Sequence, residues 1–418
     1  MKTLYIMLLS GILFSQVGQA QTFSLEELEA AFLQNNYMLI ASRFQVNQAD
    51  AEIVQEKLWD NPTLSISEVN LWSNRTSEQF ARLFGNYGRT QQFAIDLEQL
   101  IETAGKRKKR VAIRSLEKNN AVFEYEEVMR ELRKDLRQAY NELYVISNDL
   151  GKLQESVTVF ANLSETFKRQ AASQNISKAD WLRVQSELVT MEKEQVDLQA
   201  ELIEAIGVIQ ALTSMPDLSI QQLSFADMSQ RINRSVPLDT RAMAFENNLG
   251  IKKQQNQLLI ADKELELELA NRKPDLTVGI NYDRGGNIMQ DFFGLGVSMD
   301  LPIFNRNKGN IKVAQYQIEE QRANRSAIEI ALDTRLTSLT AQLVQYRQTL
   351  DRWSALDVGA ESKMLENYHK NMLSKQITLL EFIDFTQAWR ASYQSMLEIQ
   401  KNYLNTYEEL QFVVGNDF

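Results

Sequence analysis

Leu276-Thr277-Val278-Gly279-Ile280-Asn281-Tyr282-Asp283 and, beyond Gly285-Gly286, Phe293-Gly294-Leu295-Gly296-Val297-Ser298-Met299-Asp300-Leu301 decide the fold. In both runs an apolar residue alternates with a small or polar one, and a period of two marks strands with one apolar face. A second pair lies earlier in the chain. Phe93, Ile95 and Leu97 alternate with Ala94 and Asp96, while Leu64-Ser65-Ile66-Ser67 shifts phase at Val69 and Leu71, which reads as a bulge. Aromatic residues stand near the strand ends: Trp72, Phe84, Tyr87, Tyr282 and Phe292.

Around these hairpins the chain is helical. Its prolines are Pro62, Pro216, Pro237, Pro274 and Pro302 alone. Between Gly105 and Pro216 the only helix-weakening residues are Gly151 and Gly207, and after Gly309 they are Gly359 and Gly415. Stretches so free of breakers carry very long helices. A helix from Glu102 to Ala172 has a length of roughly 100 Å at ~1.5 Å per residue. Leu132, Leu136, Ala139, Leu143 and Ile146 recur at helical spacing along it, as packing on a narrow seam requires.

The two halves repeat. Asn35-Asn36, Gln45, Ala49-Asp50, Glu52, Glu56, Pro62 and Leu64 match Asn247-Asn248, Gln257, Ala261-Asp262, Glu264, Glu268, Pro274 and Leu276, all 212 residues apart. Ile176-Ser177 and Trp181-Leu182 match Ile377-Thr378 and Phe382-Ile383 at 201. The unit is helix, β-hairpin, long helix, tight reversal, returning helix, used twice. The expected organisation is a signal peptide over 1–20 and a first repeat over 21–215, with its hairpin at 62–99 and its helix tip at 173–178. A linker over 216–236 precedes a second repeat over 237–418, with its hairpin at 274–303 and its tip at 373–378.

Composition narrows the function. Of 418 residues, 45 are Lys or Arg, 55 are Asp or Glu, none is Cys, and His369 is the single histidine. The net charge of −10 argues against a nucleic-acid partner. Without Cys, thiolate metal centres and disulfide scaffolds are excluded, and one His cannot build a histidine metal site. No Ser-His-Asp set, nucleotide loop or dense metal cluster stands in the sequence, so no enzyme, cofactor or bound metal is expected. Lys2, the apolar run from Leu4 to Phe14 and Gly18-Gln19-Ala20 read as a cleaved signal peptide, with Gln21 first in the mature chain and no Cys for a lipid anchor.

In an exported chain the alternating hairpins suit a membrane. Tilted strands of this length span a bilayer, and flanking aromatics suit its interfaces. Four strands cannot close a barrel, and an open edge in lipid leaves backbone groups without partners. Several chains must then contribute, and three would supply twelve strands. The fold class expected is mainly α with β-barrel strands: a trimeric twelve-stranded β-barrel continued by an α-helical barrel.

At this point the chain resembles the TolC-like outer-membrane efflux factors. The resemblance rests on Leu25-Glu26-Glu27-Leu28 through Asn35-Asn36, on Asn61-Pro62-Thr63-Leu64, and on the run from Leu97 to Arg107 paired with Asp300-Leu301-Pro302-Ile303-Phe304. The segment Ile101-Glu102-Thr103-Ala104-Gly105-Lys106-Arg107 looks most like the heavy-metal cation efflux (CzcC-type) branch, with Leu100 a departure where that branch has Pro. The resemblance implies a homotrimer in outer-membrane lipid that reaches into the periplasm. Its partners would be a periplasmic adaptor (membrane fusion protein) and an inner-membrane resistance–nodulation–division pump. It implies a passive exit duct for divalent heavy-metal cations. Drugs or organic solutes are alternative cargo, and a periplasmic coiled-coil adaptor or scaffold outside lipid is the rival class.

The same resemblance assigns the candidate residues. Gln174, Asn175, Ile176 and Ser177, with Lys375, Gln376, Ile377 and Thr378, fall on the adaptor-docking tips. Glu381 and Asp384 lie three apart on one helix face and match the acidic pair of the periplasmic gate, with Asp180 and Arg183 in the equivalent places of the first repeat. Some relatives lock the gate with Tyr and Arg, but Met372 and Ile377 stand here. His369, near the second tip, is expected to face Glu381 or to be structural. The basic run Lys106 to Arg110 is expected at lipid headgroups or on a solvated helix start.

Overall fold

The computed structural model describes residues 22–70, 72, 79–85, 87–285, 289–354 and 358–418. The expected signal peptide lies outside the described residues, as do Leu71 and Gly286 at the hairpin turns. In chain order the elements are α1 (Leu25–Asn35), α2 (Tyr37–Glu56), β1 (Thr63–Ser67), β2 (Ala94–Ile101), α3 (Lys106–Ala172) and α4 (Lys178–Thr213). A 3₁₀ turn (Ile220–Gln222) and α5 (Met228–Ile232) precede α6 (Thr240–Asn247), α7 (Leu249–Ala270), β3 (Leu276–Gly285), β4 (Gln290–Met299), α8 (Lys308–Ser354), α9 (Val358–Leu373) and α10 (Leu379–Val414). α3 runs 67 residues unbroken. No helix among the described residues is long and apolar enough to cross a membrane.

Two compact units cut across the sequence repeat, each taking segments from both halves. The first comprises 22–36, 131–236 and 338–410 of the described chain. Among the described residues its elements are helices, with one isolated bridge between Phe23 and Leu223. Leu153, Val157, Phe160 and Leu163 of α3 pack with Val184 and Met191 of α4, Leu365 and Met372 of α9, and Phe382, Ile383 and Trp389 of α10. Phe160 and Phe382 are wholly buried and stack with centroids 5.6 Å apart. Excluding large side chains of this kind from water stabilises the packing by about 1.5–3 kcal/mol each.

A buried polar network joins this unit's other elements. Glu408 of α10 accepts from Arg231 of α5 and from Arg137 of α3, both at 2.9 Å, and Arg137 also reaches Glu29 of α1 at 2.6 Å. Tyr140 donates to Asp227 at 2.9 Å and to the Ser224 carbonyl. Burial, reinforced by the Asp227 carboxylate, raises the phenol pKa well above the ordinary tyrosine value. The segment read from sequence as a linker is thereby pinned to two long helices.

The second unit comprises 37–130, 237–337 and 411–418. It holds one antiparallel sheet of order β1-β2-β3-β4, with β1 and β4 at the edges. The expected phase shift after Ser67 takes the form of a strand end: Glu68 turns to φ 54°, and its carboxylate accepts from Gln92 Nε2 at 2.5 Å.

The basic run departs from expectation. Lys106 is buried, 2.8 Å from Asp275 and 2.8 Å from the Lys273 carbonyl. Arg110 grips Glu102 and Glu56 at 2.6 and 2.5 Å, and Arg107 lies 3.9 Å over the Trp59 ring. Lys109 lies 3.7 Å from Glu266, which leaves Lys108 as the exposed member of the run. These cations are held by acidic and aromatic partners within the unit, a stronger attraction than a solvated surface offers a lone charge.

Candidate functional site

The two helix reversals are built alike. At the first, Asn175 N–H reaches back to the Gln170 carbonyl at 2.9 Å and Gln174 N–H to Ala171 at 3.1 Å, with Gln174 at φ 61°. At the second, Gln376 N–H reaches Asn371 at 2.8 Å and Lys375 N–H reaches Met372 at 3.0 Å, with Lys375 also at φ 61°. Each is a left-handed helix stop whose crossed hydrogen bonds satisfy the last carbonyls. The returning helix is capped at once. Ser177 Oγ accepts from Ala179 N–H at 3.0 Å, and Thr378 Oγ1 accepts from Glu381 N–H at 3.2 Å.

The side chains at these tips divide cleanly. Gln174, Asn175, Ser177, Lys375, Gln376 and Thr378 are exposed, while Ile176 and Ile377 are half-buried. Ile377 packs on the helical core, and Met372 is buried in it, so neither presents a locking group.

Glu381 is more constrained than sequence reading foresaw. Its carboxylate accepts from Thr378 N–H at 2.7 Å and from the Thr378 hydroxyl at 2.8 Å, completing a capping box. The backbone N–H first, and then the hydroxyl, hold its pKa below the ordinary carboxylate range. Asp384, one turn on, is exposed. In the first repeat Arg183 lies 3.8 Å from Asp180. His369 meets Phe382, with ring centroids 5.8 Å apart, and burial lowers its pKa. The expected pairing with Glu381 is not the contact the ring makes, because α10 turns its apolar face to α9. Among the described residues no group of three or more carboxylate, His or Cys side chains is placed to hold a metal ion.

A feature that only distant residues could reveal lies farther along the first unit. Arg390, buried on α10, sits 3.1 Å from Asp149 of α3 and 2.6 Å from Glu194 of α4. A cation there is unremarkable in sequence until two helices bring it carboxylates.

The sheet is the other candidate surface. Cross-strand register aligns Ile66, Ile95, Tyr282 and Phe293 in one row and Leu64, Leu97, Ile280 and Leu295 in the next, followed by Val278 with Val297. All of these rows share one face. Leu295 is 84% exposed and Phe293 72%. The opposite face carries Ser65, Asp96, Asn281 and Gly294 in one row and Thr63, Glu98, Gly279 and Gly296 in another. The apolar face is thus left bare within the chain, which in water is a liability and in hydrocarbon is a requirement.

The sequence profile of the outer membrane efflux protein family matches residues 30–213. The cobalt-zinc-cadmium resistance protein CzcC of Cupriavidus metallidurans is 24% identical over 376 residues, 87% of this chain and 82% of its own length. The solved structure of CusC, described as forming a transmembrane channel, superposes with TM-score 0.74 at 15% identity over 97% of this chain and 96% of that one. The Campylobacter jejuni outer membrane channel CmeC gives 0.72 at 14% identity over 94% and 85%. Over residues 30–213 the chain is thus similar to the outer membrane efflux protein family. Its fold is that of these outer-membrane channels.

Proposed function

We propose that this chain is an outer-membrane efflux channel of the TolC type: three copies close a twelve-stranded β-barrel, and the long helices continue it as a periplasmic α-barrel. The duct would pass divalent heavy-metal cations delivered by a periplasmic adaptor and an inner-membrane pump. The observation that carries this reading is the four-stranded sheet, with one bare apolar face, one small and polar face, and an edge strand on each side. An edge in lipid needs a partner strand, and the edge of another copy supplies it.

A second surface supports association. On α4, Leu182, Val189, Val196 and Ile203 recur every seven residues and are 46, 57, 65 and 69% exposed. A heptad stripe of this kind is a seam for another helix. The cargo is inferred from CzcC, whose name gives cobalt, zinc and cadmium. In this reading the polar tips at Gln174, Asn175 and Ser177 and at Lys375, Gln376 and Thr378 dock the adaptor. Glu381 and Asp384, with Asp180 and Arg183, line the periplasmic gate, where rings of carboxylates favour cations.

A deletion strain tests the proposal. Heightened sensitivity to cobalt, zinc or cadmium, restored by the full chain, supports metal export. Sensitivity confined to organic solutes assigns the duct to drugs instead. A water-soluble monomer as the mature product overturns the barrel itself.

A further inference from the structure

The β1–β2 connection carries a built turn that the duct does not require. Phe80 N–H bonds to the Arg89 carbonyl, Leu83 N–H to Tyr87, and Tyr87 N–H back to Phe84, each at 2.9 Å. Gly85 and Gly88 take φ 57° and 100°, and a Cβ on Gly88 would come within 3.0 Å of the Leu83 nitrogen. Gln91 Oε1 accepts from Gly88 N–H at 2.7 Å and from Thr90 N–H at 3.2 Å. Among its described residues the turn is held by its own backbone and by the Gln91 side chain.

Arg284 fastens it to the sheet. This residue is 5% exposed at the end of β3, donates to the Ala81 and Gly88 carbonyls, and lies between Phe80 and Phe93 with centroids 5.7 and 5.8 Å from its guanidinium. Strand alternation puts Arg284 on the same face as Ile280 and Tyr282. The turn thus continues the apolar face at the end of the sheet remote from the helices. What it displays there is amphipathic. Phe84 is 82% exposed and Leu83 40%, flanked by exposed Arg82 and by Arg89, which also donates to Gln79 at 2.6 Å. Residues 79–91 contain no Asp or Glu, in a chain of net charge −10.

We propose that this turn seats in the outer leaflet, with Leu83 and Phe84 at the acyl boundary and Arg82 and Arg89 on the phosphates of anionic lipid. The proposal rests on the membrane reading of the sheet and adds to it a lipid class. An apolar tip flanked by cations, continuous with a lipid-facing surface, suits a phosphate-rich interface better than a neutral one.

The absence of cysteine permits a clean test on the full chain. A single environment-sensitive fluorophore is attached through Leu83→Cys and, in a separate sample, through Leu295→Cys. Both are reconstituted in phosphatidylcholine vesicles with increasing phosphatidylglycerol. The label at 83 is expected to shift to the blue and be quenched by headgroup spin labels as anionic lipid rises. Arg82→Gln combined with Arg89→Gln should require roughly tenfold more anionic lipid for the same response. A water-like label at 83 beside a blue-shifted label at 295 overturns this proposal alone, as does an equal response in neutral vesicles. A water-like label at both positions overturns the membrane reading and this proposal with it.

Discussion

Gln174 and Lys375, 201 residues apart, hold the same left-handed backbone conformation at φ 61°, each two residues beyond the end of a helix. Neither is glycine, and the left-handed region costs an L-residue roughly 1–2 kcal/mol. Gln174→Gly and Lys375→Gly are expected to stabilise the reversals by about 1 kcal/mol each, since Gly adopts this conformation freely. Chemical denaturation of the purified chain checks this, and a lowered midpoint would contradict it. Retention of a long side chain at both places, against its backbone cost, fits a surface selected for contact.

Glu381 stabilises the start of α10 through its carboxylate, so its effect depends on pH. Because its folded pKa is lowered, the stabilisation is present above the unfolded value, ~4.3, and is lost as pH falls through the lower folded value. Glu381→Gln should flatten that acid limb in thermal melts between pH 2 and 5, with the unfolded value near ~4.3 as reference. In planar bilayers, Glu381→Ala with Asp384→Ala is expected to reduce cation selectivity, and unchanged selectivity would place both carboxylates outside the lumen.

The Phe160–Phe382 stack closes the helical core near the second tip. Phe382→Ala removes a ring with no exposed surface and is expected to cost about 3–5 kcal/mol, while Phe382→Leu costs less than half of that. His369 then loses its apolar neighbour, and its imidazole pKa should rise toward the ordinary value, a change readable by NMR titration.

The stripe on α4 separates association from folding. Val196→Lys and Ile203→Lys alter side chains that are 65 and 69% exposed in the single chain, so helix content should hold. Each removes roughly 1.5–3 kcal/mol of apolar burial from a helix–helix seam, which weakens trimer formation by about 10- to 100-fold. Cross-linking and sedimentation of detergent-solubilised protein measure the shift, and an undiminished trimer assigns the seam elsewhere.

Much of this was legible because the decisive signals are local. The alternation through Leu276–Tyr282 and Phe293–Met299 fixes two strands and their faces, and Ser177 and Thr378 announce helix starts by their chemistry. The Asn36 and Asn248 match also had a structural cause: each donates Nδ2 to a carbonyl near the end of a returning helix, Leu212 at 2.9 Å and Val413 at 2.7 Å. What escaped were contacts between distant segments. Lys106 and Arg110 read as a surface patch because Asp275 and Glu56 lie 169 and 54 positions away. Glu381 read only as one of an acidic pair with Asp384, although Thr378 three residues before it is the other half of a capping box.

The two faces of the sheet make opposite predictions for one kind of substitution. Leu295 and Val297 stand on the bare apolar face, and Ser298 and Asn281 on the other. Arg at 295 or 297 places a charge in hydrocarbon at a cost of about 2–4 kcal/mol near the bilayer midplane, so the variant chains should accumulate in the periplasm. Arg at 298 or Lys at 281 faces the interior of the proposed barrel, where folding and insertion should be spared and the added cation should repel cargo of like charge. Fractionation and single-channel recording distinguish the pairs. If charge on either face were equally harmless to insertion, the sheet would not be the part of the chain that meets lipid.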